Sequence, residues 1–133
     1  MILAALAALG AAPPPSLPPK TVLLLVADWC APCRGELARL DQLAAAAQPY
    51  AVRVLLVDDT RGGRRMLAAL PDTRRWSPED AARTATLAAL LTNTAGLPHS
   101  VAIGRDGRVC GEVSGGLWPA GANGLVARCR RSP

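Results

Sequence analysis

Residues 21–27 are an almost unbroken run of Val and Leu, and a short continuous apolar run of this kind predicts a strand buried on both faces. From Cys33 onward the period changes. Leu37, Leu40 and Leu43 recur at helical spacing and predict a helix reaching about Ala47, beyond which Pro49 breaks the pattern. Residues 51–57 return to a strand signal through Val52, Val54, Leu55, Leu56 and Val57. A strand, a helix and a second buried strand imply a parallel pair joined by a right-handed crossover. Between residues 61 and 93 the chain reads as helix in two pieces. The first covers 64–70 and stops at Pro71; the second opens with Ser77-Pro78-Glu79-Asp80, a capping serine followed by a first-turn proline and acids, and runs on through Leu87, Leu90 and Leu91. Trp76, between the two pieces, reads as a lid over the core. Residues 96–100 lead into a short strand, 101–103, and Gly104-Arg105-Asp106-Gly107 is a hairpin turn signal, with an antiparallel partner strand over 108–113. A last helix, 119–128, is weakened by Gly121 and Gly124. The expected class is α/β, a mixed sheet flanked by helices.

Length and composition narrow this picture. A chain of 133 residues makes one domain with a real core. There is no Phe, and only three Trp and one Tyr, so Leu, Val, Ala and Ile must fill that core. Residues 1–12 are apolar and alanine-rich, too short to span a bilayer, which takes about 20 residues. They fit the apolar and cleavage regions of an export signal, although the usual positive start is missing, and an ordered apolar segment is the alternative. Residues 13–20 are a proline-rich spacer in extended form, which leaves 21–133 as the folded domain. The net charge of +5 comes from fourteen Arg and one Lys spread along the chain. With few aromatics for base stacking, a solvated basic surface is expected rather than a nucleic-acid site. Asp58-Asp59-Thr60 reads as a solvated strand end that caps the next helical piece, since no third ligand stands nearby for a metal.

The chemistry centres on Trp29-Cys30-Ala31-Pro32-Cys33-Arg34, two cysteines separated by two residues where a buried strand gives way to a helix. A helix N-terminus carries roughly half a positive charge and unpaired N–H groups, and it favours thiolate over thiol. Cysteines so placed have pKa values lowered to about 3.5–7.5. Cys30 is then expected as the exposed nucleophile, and Cys33, inside the first turn, as the thiol that resolves a mixed disulfide. Four cysteines allow three pairings, and sequence alone selects none of them.

Trp29-Cys30-Ala31-Pro32-Cys33-Arg34-Gly35-Glu36 resembles the W-C-x-P-C-[RK]-x-E pattern of TlpA/ResA-type thiol–disulfide oxidoreductases of the thioredoxin superfamily. Leu97-Pro98, entering a strand that ends at Asp106-Gly107, is similar to that family's second landmark. The resemblance spans residues 21–128. It implies a thioredoxin-like fold, a cis Pro98 packed beside the cysteines, and a backbone at Leu97 left open to pair with a substrate strand. It also implies an active-site role for Glu36, which helical spacing brings back toward Cys33 to move a proton. Trp29, Leu97, Pro98 and His99 would form the substrate-binding edge. Three departures stand out. Leu24 occupies the place of the buried Asp of thioredoxins, Ala38 stands where relatives often carry a helix-kinking proline, and His99 replaces the frequent Thr after the cis-proline. A histidine there would either stabilise the Cys30 thiolate and make the pair more oxidising, or be a partly exposed strand residue with no role. With Cys30 and Cys33 paired, Cys110 and Cys129 remain for each other. They sit on elements that pack together in this fold, so a structural disulfide between them is feasible in an oxidising compartment, with two buried free thiols as the alternative.

The expected function is thiol–disulfide exchange on protein thiols and disulfides, an extracytoplasmic reductase restored by a protein electron donor. No organic cofactor and no metal are needed, and a monomer without a membrane span is expected. The competing reading is a copper-delivery module with Cys30, Cys33 and His99 converging as ligands.

Overall fold

The computed structural model describes residues 16–131. The expected export signal, the start of the proline-rich spacer and the last two residues of the domain lie outside them. Four strands form one sheet in the order β2-β1-β3-β4: β1 (Thr21–Val26), β2 (Ala51–Leu56), β3 (His99–Ile103) and β4 (Val109–Ser114). The β1/β2 pair is parallel, from Thr21 opposite Ala51 to Val26 opposite Leu56, and β3 is antiparallel to both β1 and β4. Gly107 makes the tight β3–β4 turn with φ 78°, a left-handed conformation that costs an L side chain more than glycine. Every residue of β1 is buried, as its uninterrupted apolar run demands.

The alternation of β1 splits the core in two. Val22, Leu24 and Val26 face helices α2 (Leu40–Ala47) and α5 (Pro119–Arg131), meeting Leu43, Ala47, Leu125 and Val126. Leu23 and Leu25 face the other way, toward Leu55, Val101, Ile103 and Leu90 of α4 (Arg83–Leu90). Trp76 packs half-buried over this second cluster, the lid expected of it. Among the described residues no helix is long and apolar enough to cross a membrane.

Two helices depart from expectation. The helix after the cysteines is two: α1 (Ala31–Ala38) and α2 meet at Arg39, whose φ −107°, ψ 23° breaks the helical path without any proline. The Arg39 N–H bonds the Glu36 carbonyl three residues back, and its side-chain Nε donates to the Leu117 carbonyl at 2.8 Å, so the break is anchored to the loop before α5. The helix expected from Ser77 begins only at Arg83, after a single 3-10 turn at Asp80–Ala82, and Ser77 caps nothing. Arg75 instead forms a parallel bridge to Val54, and the Trp76 N–H bonds the Val54 carbonyl. This stretch is held extended along the open edge of β2, and it cannot start a helix until it leaves that edge. By contrast α3 (Arg61–Ala68) is capped as expected, the Thr60 hydroxyl accepting from the Gly63 N–H at 3.0 Å.

Candidate active site

Cys30 follows the carboxyl end of β1 and is the N-cap of α1, with Pro32 in the first turn, where its missing N–H costs nothing. Cys30 and Cys33 form a disulfide with Cα atoms 5.3 Å apart. The Cys33 N–H donates to Cys30 Sγ at 3.2 Å, so the cap that other helices take from a hydroxyl or carboxylate is here taken from sulfur. Neither sulfur stands out into solvent. Cys33 is fully buried, and Cys30, expected to be exposed, is only 4% accessible because its capping position folds it over the first turn. Cys30 is nonetheless the one member of the pair with access from outside.

Glu36 shares the buried face of α1 with Cys33, one turn on. It is fully buried. Its Oε2 accepts from the Leu117 N–H at 2.6 Å, and its Oε1 has no partner. Burial raises its pKa from 4.5 to about 7, against the opposing pull of the Leu117 N–H and the Arg39 charge. The carboxyl therefore titrates near neutral pH, one helical turn from Cys33.

The Leu97–Pro98 peptide bond is cis, and Pro98 is buried, its carbonyl accepting from the Gly115 N–H at 2.9 Å. The main chain of Leu97 makes no backbone hydrogen bond among the described residues. Trp29 is 68% exposed, its Nε1 donating to Asp58 Oδ2 at 2.7 Å.

His99 does not join the cysteines. It pairs across β1 with Leu25, so strand alternation turns its ring to the sheet face opposite the one that holds Cys30 and Cys33. There it is 1% exposed, with Nδ1 2.9 Å from Ser114 Oγ and Nε2 3.7 Å from Glu112 Oε1. The expected thiolate partner is thus a buried strand residue tied to β4, and the three-ligand set Cys30, Cys33 and His99 has no common centre. Leu24, in place of a buried acid, is an ordinary core residue.

Three participants have no signature in the sequence. The Leu117 N–H that holds Glu36 is a backbone group. Arg39 and Trp118 matter only because the fold brings them together: the guanidinium lies 3.7 Å from the Trp118 ring centroid while bonding the Leu117 carbonyl. Only the run Gly115-Gly116-Leu117-Trp118 before a helix start points to a loop with a specific shape.

No protein-family model matches the chain, and no curated protein matches its sequence. Solved structures do match. A thio-disulfide isomerase from Thermus thermophilus superposes with a TM-score of 0.59 at 20% identity, over 81% of this chain and 78% of that one. The chain has the thioredoxin fold. A Chlorobium tepidum protein provisionally designated thiol:disulfide interchange protein DsbE gives 26% identity and a TM-score of 0.52, over 81% of this chain and 75% of that one. A secreted Mycobacterium tuberculosis disulfide oxidoreductase, homologous to E. coli DsbE, gives 20% identity and a TM-score of 0.53, over 80% of this chain and 79% of that one. In this thioredoxin-fold chain the cysteine pair follows the carboxyl end of β1, the buried glutamate lies one turn further along α1, and the cis-proline leads into β3, whose His99 pairs with Leu25 near the same end of β1.

Proposed function

We propose that the protein is an extracytoplasmic thiol–disulfide oxidoreductase that reduces protein disulfides through Cys30 and Cys33. The observation that carries this reading is the disulfide itself, set on a helix N-terminus with a buried carboxyl of near-neutral pKa one turn behind the resolving cysteine. Once the pair is reduced, the Cys30 thiolate, held by the Cys33 N–H, attacks a substrate disulfide, forming a Cys30–substrate bond and releasing one substrate thiol. Cys33 then passes its proton to Glu36 and attacks Cys30 Sγ. The mixed disulfide breaks, the second substrate thiol leaves, and the Cys30–Cys33 bond is restored. A protein electron donor reduces it again. Trp29, Leu97 and Pro98 form the docking edge, with the free main chain of Leu97 receiving the substrate strand.

The reducing direction has a physical basis. A strong oxidant needs a stabilised thiolate in its reduced form. Here the one histidine faces away, and a buried carboxylate beside Cys33 opposes negative charge on sulfur. The extracytoplasmic setting is supported by a second disulfide, Cys110–Cys129, because such pairs persist mainly in oxidising compartments.

The test is trapping. A Cys33→Ser variant incubated with a disulfide-bonded protein should accumulate a covalent Cys30–substrate complex, released by dithiothreitol, and a Cys30→Ser variant should accumulate none. Equal trapping by the two variants, or none by either, overturns the assignment.

A further inference from the structure

At the end of the sheet opposite Cys30 lies a cleft of about 780 Å³ that exchange at Cys30 and Cys33 does not use. It opens where β1 and β2 begin and where β3 turns into β4, and its walls include Lys20, Tyr50, Arg105, Arg108 and Arg130. Both members of the Cys110–Cys129 disulfide also line it; this bond joins β4 to the last turn of α5, with Cα atoms 5.1 Å apart. Such a volume is that of a small-molecule site.

The charge of the cleft is one-sided. Four cations, Lys20, Arg105, Arg108 and Arg130, stand against one carboxylate, Asp106, which already accepts from the Arg108 N–H at 3.1 Å. None of the four cationic side chains has a hydrogen-bond or ion-pair partner among the described residues. Unpaired cations grouped around a concavity attract small anions, and here the concavity contains a disulfide.

We propose that Cys110–Cys129 is a second exchange site, addressed by small anionic thiols that the basic cleft concentrates. The thiolate enters the cleft and attacks Sγ of Cys110, the half-buried member of the pair, since Cys129 is only 6% exposed. A bond forms between the small thiol and Cys110 as the Cys110–Cys129 bond breaks. The electron pair leaves on Cys129 Sγ, beside Arg130 on the same wall, and is protonated from solvent. A second small thiolate then attacks the small-molecule sulfur of the mixed disulfide and frees Cys110. Two small thiols become one small disulfide, and the protein gains two thiols. The site is independent of the reaction assigned to Cys30 and Cys33.

The experiment uses the unmodified chain and three simple thiols of similar size: mercaptoethanesulfonate, mercaptoethanol and cysteamine, which differ in charge. Differential alkylation with peptide mass mapping follows the two disulfides separately, and circular dichroism confirms that the protein stays folded. Per unit of thiolate, the sulfonate should reduce Cys110–Cys129 at least about 10-fold faster than cysteamine at low salt. That advantage should vanish at about 1 M salt, where the screening length is near 3 Å. An Arg105→Gln/Arg108→Gln variant should lose most of it. Rates independent of thiol charge, an advantage that survives salt or the double variant, or reduction only on unfolding would overturn the proposal.

Discussion

Glu36 is the residue on which the chemistry and the stability of the molecule meet. Its carboxyl is buried with one oxygen bonded to the Leu117 N–H and the other unpartnered, and its pKa stands at about 7 instead of 4.5. Between those two values the folded protein binds a proton that the unfolded chain has released. Stability therefore falls as pH rises through that window, and the full penalty is present above about 7. A shift of this size corresponds to roughly 3 kcal/mol. Denaturant melts of the oxidised protein at pH 5 and pH 8 should show this loss, and a Glu36→Gln variant should escape most of it. The same variant should slow resolution by Cys33 while leaving the first attack by Cys30 nearly unchanged, as stopped-flow measurement of mixed-disulfide decay would show. Equal pH dependence in the two proteins would mean that Glu36 is ionised in the fold.

Among the elements, the joint between α1 and α2 holds the site in shape. Arg39 bonds the Leu117 carbonyl and stacks on Trp118, fixing the loop whose Leu117 N–H engages Glu36. Arg39→Ala removes a hydrogen bond to a charged group and a cation–π contact, a loss of about 2–3 kcal/mol by chemical denaturation. At Gly63 of α3, an added Cβ would stand 2.7 Å from Leu56 Cδ1 and 2.8 Å from Thr60 Oγ1. Gly63→Ala should therefore cost about 1–3 kcal/mol despite the gain in helix propensity, read from the same melts. The strands are the most legible part of the chain, because β1 is buried along its whole length and β2 from Val54 onward, with Arg53 the one charged residue in either. Legibility falls where tertiary contact overrides local signal. Ser77-Pro78-Glu79-Asp80 has every mark of a helix start, yet the preceding residues pair with the β2 edge and postpone it. Ala38 gives no reason for a break, and the break is made one residue later by a long-range tether. His99 departs from its expected place for a simpler reason. Adjacent in sequence to Pro98, it belongs to a strand, and alternation sends neighbouring side chains to opposite faces.

At the scale of the whole molecule, two disulfides sit at opposite ends of the sheet with different tasks. Cys30–Cys33 closes almost no loop, whereas Cys110–Cys129 closes one of 19 residues' separation between the hairpin and the terminal helix. In the chain-entropy view a loop of that length is worth about 3 kcal/mol. A Cys110→Ala/Cys129→Ala variant should lose that much stability and keep exchange at Cys30 and Cys33, as melts and a protein-disulfide reduction assay would establish. The thioredoxin fold and the redox pair are legible because both rest on local sequence, a buried strand followed by a capped helix with two cysteines. The setting of Glu36 is not, because it depends on a loop some 80 residues away in the chain. The most direct test of the account is the reduction potential of Cys30–Cys33, read by thiol trapping across dithiothreitol and glutathione buffers with each pair scored separately. The proposed reducing role, with the one histidine on the opposite face of the sheet, predicts a two-electron midpoint at or below about −250 mV, near that of thioredoxin. A midpoint between about −180 and −120 mV, or a pair that never exchanges, would contradict it.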